Sequence, residues 1–189
     1  MQYADASDKL ARYRLQIAEV RGKIRELQQS VDPEEVRDYE FWTTQGEVRL
    51  SELFGDKEYL FVIHNMGAGC RNCTLWADGF NGILPHIENR AAFVVASPDE
   101  PAAQQKFKTA RGWRFRMVSY EDTGFARAMG YRSDEGWLPG VSVFRKQGQS
   151  VCRVSDTGFQ PGDDFCSIWH FFDLLPQGAG DWQPQYQYD

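Results

Sequence analysis

Cysteine and histidine are scarce in this sequence, with four of the first and three of the second among 189 residues. Four cysteines are too few for a disulfide framework in a chain of this size. A structural zinc site needs four ligands, usually from a second C-x-x-C or a histidine pair at helical spacing. Here His64, His86 and His170 are scattered, and Cys70-Arg71-Asn72-Cys73 is the one C-x-x-C. No window approaches the roughly twenty consecutive apolar residues that span a bilayer. The opening MQYADASDKL lacks the basic and apolar regions of a secretory signal. Basic residues gather into no stripe and the net charge is −6, so neither a polyanion nor a membrane is an expected partner. The expected compartment is the cytoplasm, where thiols stay reduced unless they are catalytic or bind metal.

What is present is a good supply of core material. A content of 42% hydrophobic and 14% aromatic residues fits one globular domain with appended elements. From Ser7 to Ser30 the residues Leu10, Tyr13, Ile17, Val20, Ile24 and Leu27 recur at spacings of three and four, which predicts an amphipathic helix with a narrow seam closed by Pro33. Gly22 costs such a helix about 1 kcal/mol against Ala, so it needs something to pack on. Its own domain is one partner and a second copy, giving a homodimer through residues 7–30, is the other. The expected division is a helical arm over residues 1–32 and a main domain over 33–189.

In EFWTTQGEVRLSELF the β-formers around Gln45-Gly46 predict a strand pair with that dipeptide as its turn. Residues 59–63 form an unbroken apolar run, as expected of a strand covered on both faces. Residues 73–90 carry a helical stripe that Gly79, Gly82 and Pro85 should bend, and AAFVVAS reads as a second buried strand. This βαβ order predicts a partly parallel sheet. A helix near 101–110, a strand in WRFRMVS, a hairpin around Gly148 and a last helix in DDFCSIWHFFDLL, capped by Gly162 or Asp163, complete an α/β domain. The tail QGAGDWQPQYQYD reads as irregular.

Cys70 falls where the first buried strand hands over to the helix. Free N–H groups and the positive end of the helix dipole favour a thiolate there, and Arg71 adds a neighbouring positive charge. Cys73, one turn deeper, suits a resolving thiol, so Cys70 is the expected nucleophile of a working dithiol. A metal grip and a pair of small buried residues are the other readings of the same spacing.

This order of elements, with the dithiol at the strand-to-helix junction and LPGVSVF before a Gly-turned hairpin, resembles the thioredoxin fold, a central mixed sheet flanked by helices. The resemblance implies that Pro139 is the cis proline facing the dithiol, where it would shape the groove that holds a substrate backbone. GEVRLSELFGDKEYLFVI resembles the opening of peroxiredoxin-like members, which carry extra N-terminal strands. More narrowly, CRNCTLWADGFNGILPHIE, RGWRFRMVS and FFDLLPQGAGDWQPQY are similar to an uncharacterised bacterial thioredoxin-like family catalogued as a domain of unknown function. Gly69 stands where thioredoxins have Trp, Asn72 where they have Pro, and Gly67 where peroxiredoxins have Thr. The resemblance therefore implies a fold and a dithiol rather than a peroxidase or a particular redox potential.

His64 lies six residues before Cys70, the spacing at which thioredoxins hold a buried proton-moving carboxylate. It is a candidate for that role, or a histidine satisfied by a nearby carbonyl. Cys152 and Cys166 read as buried filler, with a resolving role as the alternative. Trp76, Phe80 and Trp113 read as core, and Asp78 and Glu88 as solvated helix residues. The expected function is a thiol–disulfide oxidoreductase without a cofactor, acting on a disulfide-containing protein or small molecule and supplied with electrons by a thiol or a reductase. The alternatives are a non-catalytic interaction module and a soft-metal carrier.

Overall fold

The apolar runs set the centre of the sheet. In the computed structural model, which describes residues 2–188, the strands are β1 (Glu34–Val36), β2 (Glu40–Thr43), β3 (Gly46–Arg49), β4 (Tyr59–His64), β5 (Ala92–Ser97), β6 (Arg116–Ser119), β7 (Arg132–Ser133), β8 (Gly136–Trp137), β9 (Gly140–Gln147) and β10 (Ser150–Gly158). The helices are α1 (Tyr3–Ser30), α2 (Arg71–Arg90), α3 (Pro101–Arg111), α4 (Phe125–Ala128) and α5 (Ser167–Phe172). Eight strands join in the order β1-β10-β9-β4-β5-β6-β2-β3, and β7 and β8 form a separate pair. β4, β5 and β6 run parallel, linked through α2 and α3, while β9 lies antiparallel to β4 and β2 antiparallel to β6. The parallel strands sit inside the sheet with both faces covered, as such strands require.

Side chains alternate between the two faces with the period of two that a pleated strand imposes. Leu60, Val62, Val94, Ala96, Val118 and Phe144 pack with Tyr39, Phe41, Leu50, Phe125 and Tyr131 in one core. Ile63, Phe93, Val95 and Val141 pack on the other face, under Cys73, Trp76, Phe80 and Leu84 of α2 and Trp169 of α5. Truncating one of these rings to Ala should cost about 3–5 kcal/mol, so the face that carries α2 is a rigid base for the dithiol.

The chain falls into two compact units divided between Pro33 and Glu34. The first is α1, which starts at Tyr3, four residues before the expected Ser7, and buries no residue. Its seam is open, with Leu10 47% and Leu27 67% exposed.

Three local expectations need correction. The β2–β3 turn is Thr44-Gln45, one residue earlier than expected, because Gly46 already pairs with Thr43. The last helix is much shorter than DDFCSIWHFFDLL. Asp163 is committed to a turn, accepting from the N–H groups of Gln160 and Phe165 and from the Trp76 indole, so the helix begins after Cys166 instead. The strand in WRFRMVS starts only at Arg116, since the Trp113 N–H is still held by Lys108 of α3 across the left-handed Gly112.

Candidate functional site around Cys70 and Cys73

β4 delivers the chain into a loop, residues 65–70, that is tied down at nearly every residue. The Asn65 N–H donates to Ala96 of β5, and its side-chain oxygen accepts from the Gly67 N–H at 2.8 Å. The Tyr120 hydroxyl donates to the Asn65 carbonyl at 3.0 Å. The Ala68 N–H donates to the Asp99 carboxylate at 2.8 Å, and Asp99 lies close under Gly67, whose φ of +100° suits glycine. A loop held in this way presents its last residue in one place.

That residue is Cys70, the N-cap of α2. Its sulfur accepts the Cys73 N–H at 3.0 Å, which satisfies one of the free donors of the first helical turn. The two cysteines are joined as a disulfide with Cα atoms 5.2 Å apart. Cys70 is half-buried, whereas Cys73 is 3% exposed beneath α2. α2 has 20 residues and no acidic side chain in its first turn, so nothing there offsets the positive end of its dipole. Cys70 thus stands at that positive end as the more accessible of the two cysteines.

An open cavity of about 470 Å³ adjoins Cys70, walled by Met66, Gly69, Arg71, Asn72, Gln183 and Pro184. The last two belong to the tail, which has no regular secondary structure yet packs firmly. Trp182 stacks edge-on against Trp169 and Phe172. The Tyr186 hydroxyl donates to the Ala68 carbonyl, and its ring meets Phe107 and lies 5.8 Å below the Arg71 guanidinium. Arg111 donates to the Tyr186 carbonyl and to Asp78, which also accepts the Trp113 indole N–H at 2.7 Å. Asp78 is thus a clamp between α2, α3 and the tail rather than a solvated helix residue.

Of the expected site residues, His64 is placed away from the sulfurs and Pro139 is not among the residues that wall the cavity. His64 lies on the opposite face of the sheet from α2, fully buried and stacked on Tyr131 at 3.8 Å between ring centres. Its Nε2 is 2.9 Å from the Ser142 hydroxyl, and Nδ1 is buried without a hydrogen-bond partner. Burial, with the positive Arg153 as the lesser cause, lowers its pKa to about 3, so it stays neutral. Strand alternation explains the departure: Ile63 takes the face under α2, which sends His64 to the other. Pro139 heads β9 beside the start of the loop but does not wall the cavity. No described peptide bond is cis. The Leu138 N–H donates to the Tyr131 carbonyl and the Pro139 carbonyl accepts from the Phe159 N–H. Arg71 does stand at the cavity beside Cys70.

Cys152 and Cys166 are buried and unbridged, and burial pushes the Cys166 thiol up. Among the described residues no three His, Cys, Asp or Glu side chains cluster closely enough to hold a metal ion. Sequence reasoning missed Asp99, Tyr186, Gln183 and Pro184. Asp99 had a usable signal, since it follows a strand parallel to β4 and therefore sits at the same end of the sheet.

Residues 2–188 match a family described as "Bacterial protein of unknown function (DUF899)". The chain belongs to that family. No curated protein matches this DUF899 chain. Its fold is similar to the bacterioferritin comigratory protein of Xanthomonas campestris, an alkyl peroxide reducing protein, with a TM-score of 0.55 and 18% identity over 63% of this chain and 79% of that one. It is also similar to a cysteine-to-serine mutant of PrxQ from Xylella fastidiosa, with a TM-score of 0.60 and 15% identity over 69% and 87%. A peroxiredoxin-like protein from Aquifex aeolicus gives 0.56 and 18% over 67% and 74%. The DUF899 chain has a thioredoxin-like fold.

Proposed function

We propose that this protein is a thiol–disulfide oxidoreductase in which Cys70 attacks and Cys73 resolves. The observation that carries the reading is the Cys70 sulfur, on a partly buried residue at the N-terminus of α2 that adjoins the cavity, accepting the Cys73 N–H at 3.0 Å. A sulfur so placed is favoured as a thiolate. In the reduced protein the Cys70 thiolate attacks one sulfur of a substrate disulfide, forming a mixed disulfide and expelling the first thiol. Cys73 then attacks the Cys70 sulfur, expels the second thiol and closes the internal bridge. Burial of Cys73 confines it to that second role. A thiol or a reductase must supply two electrons to reopen the bridge, and a reducing compartment such as the cytoplasm would do so.

The test is trapping. Reduced Cys73→Ser protein mixed with a disulfide should accumulate a stable adduct at Cys70, whereas Cys70→Ser should form none. An adduct confined to Cys73, or failure of the reduced wild type to reform its bridge with any oxidant offered, would sink the reading.

The open seam of α1 supports a further proposal, that residues 7–30 pair with the same segment of a second copy to give a homodimer with the 1–32 arms as its contact. Sedimentation of the whole chain and of a Leu10→Asp, Ile17→Asp variant tests it. A wild type that stays monomeric would remove it.

A further inference from the structure

The residues around Cys70 also bear on what kind of disulfide it meets, given the reading of Cys70 as the attacking thiol. A thioredoxin-type site can hold a protein substrate as an extended strand, through backbone groups beside the dithiol. Here the Leu138 N–H and the Pro139 carbonyl are already spent on Tyr131 and Phe159. Gln183 and Pro184, fixed in place through Trp182 and Tyr186, form part of the cavity wall. What remains is a space of about 470 Å³, within the roughly 300–1,000 Å³ range of small-molecule sites.

The walls have a definite chemistry. Arg71 makes no ion pair among the described residues and only overlies the Tyr186 ring. Asn72 also borders the space, but its side-chain oxygen is closed off from solvent and so is not presented to a ligand there. Gln183 adds a second amide, Met66 and Pro184 are apolar, and no carboxylate lines the space. An exposed guanidinium beside the sulfur offers a carboxylate a bidentate, charge-assisted contact.

We infer that the substrate is a low-molecular-weight disulfide carrying carboxylate groups, the class of cystine and oxidised glutathione, with Arg71 as its specificity-determining residue. The step is balanced. The reduced pair and one RSSR give the Cys70–Cys73 bridge and two RSH, with two electrons passing to the substrate and both thiol protons leaving on the products.

The experiment follows closure of the Cys70–Cys73 bridge after reduced whole protein is mixed with oxidised glutathione, uncharged hydroxyethyl disulfide, insulin or hydrogen peroxide. Oxidised glutathione should react fastest. In Arg71→Ala the rate ratio of glutathione disulfide to hydroxyethyl disulfide should fall about five- to tenfold, the loss of one charge-assisted contact, and Arg71→Lys should restore part of it. The ratio cancels any change in the thiolate itself. Insulin or peroxide reacting faster than oxidised glutathione, or an unchanged ratio in Arg71→Ala, would overturn the inference while leaving the dithiol reading intact. If none of the four closes the bridge, the dithiol reading itself fails.

Discussion

The Tyr186 hydroxyl donates a hydrogen bond at 2.9 Å to the carbonyl of Ala68, two residues before Cys70. A residue near the end of the chain thereby fixes the loop that carries the sulfur. Tyr186→Phe should lose about 1 kcal/mol, read by urea denaturation, and should loosen the loop so that alkylation of reduced Cys70 changes rate. Unchanged stability together with an unchanged rate would mean the tail is only a passenger.

Cys70 should also titrate below the roughly 8.5 of a free thiol. In the reduced protein, alkylation rate against pH should show a low midpoint that Cys70→Ser abolishes and Cys73→Ser keeps. A midpoint at or above 8.5 would remove the helix N-terminus as an activating device.

His64 imposes a pH dependence of the opposite kind from that of a salt-bridged histidine. Its pKa is about 3 in the folded chain against 6.5 when unfolded, so the unfolded chain binds the extra proton between those values. Stability from this group is fully present above pH 6.5 and falls as pH drops towards 3, by up to about 1.4 kcal/mol per unit. His64→Phe keeps a ring against Tyr131 but cannot titrate, and its stability should vary less over pH 4–7. Parallel profiles in urea titrations would exclude His64 as the cause.

Gly67→Ala should be costly in two ways. Its φ is +100°, and an added Cβ would sit 2.8 Å from an Asp99 carboxylate oxygen. The carboxylate can swing aside only by giving up the Ala68 N–H, so we expect a loss of about 1–3 kcal/mol and slower closure of the bridge. A variant of normal stability and rate would show the loop to be less constrained than these contacts imply.

Asp78→Ala should strand the Trp113 indole N–H and the Arg111 guanidinium together, at a cost of about 2–4 kcal/mol. Hydrogen exchange at residues 182–186 should rise in this variant, because Arg111 also holds the Tyr186 carbonyl. Unaltered exchange there would separate the clamp from the tail.

The centre of this fold was readable because its signals are local. Runs at 59–63 and 91–97 lack polar alternation, and Cys70 sits at a strand-to-helix handover visible in a short window. His64 was misplaced because a period of two assigns alternate residues to opposite faces without saying which face the helix covers. The last helix was overextended because Asp163 is a good cap by type, yet its carboxylate is used by the Trp76 indole, 87 residues away in sequence. Tyr186 and Pro184 were missed for the same kind of reason, since an irregular tail shows no periodicity and its partners lie across the domain.

The tie between Tyr186 and Ala68 joins residues 118 apart in the chain. During synthesis at about 5–20 residues per second, the segment that closes the cavity would trail the sulfur by about 6 to 24 s. For that interval a nascent chain exposes Cys70 and Cys73 without Gln183, Pro184 or the Tyr186 anchor. Whatever selectivity the finished wall confers is absent then, and the surrounding redox conditions alone determine the first partner of each thiol.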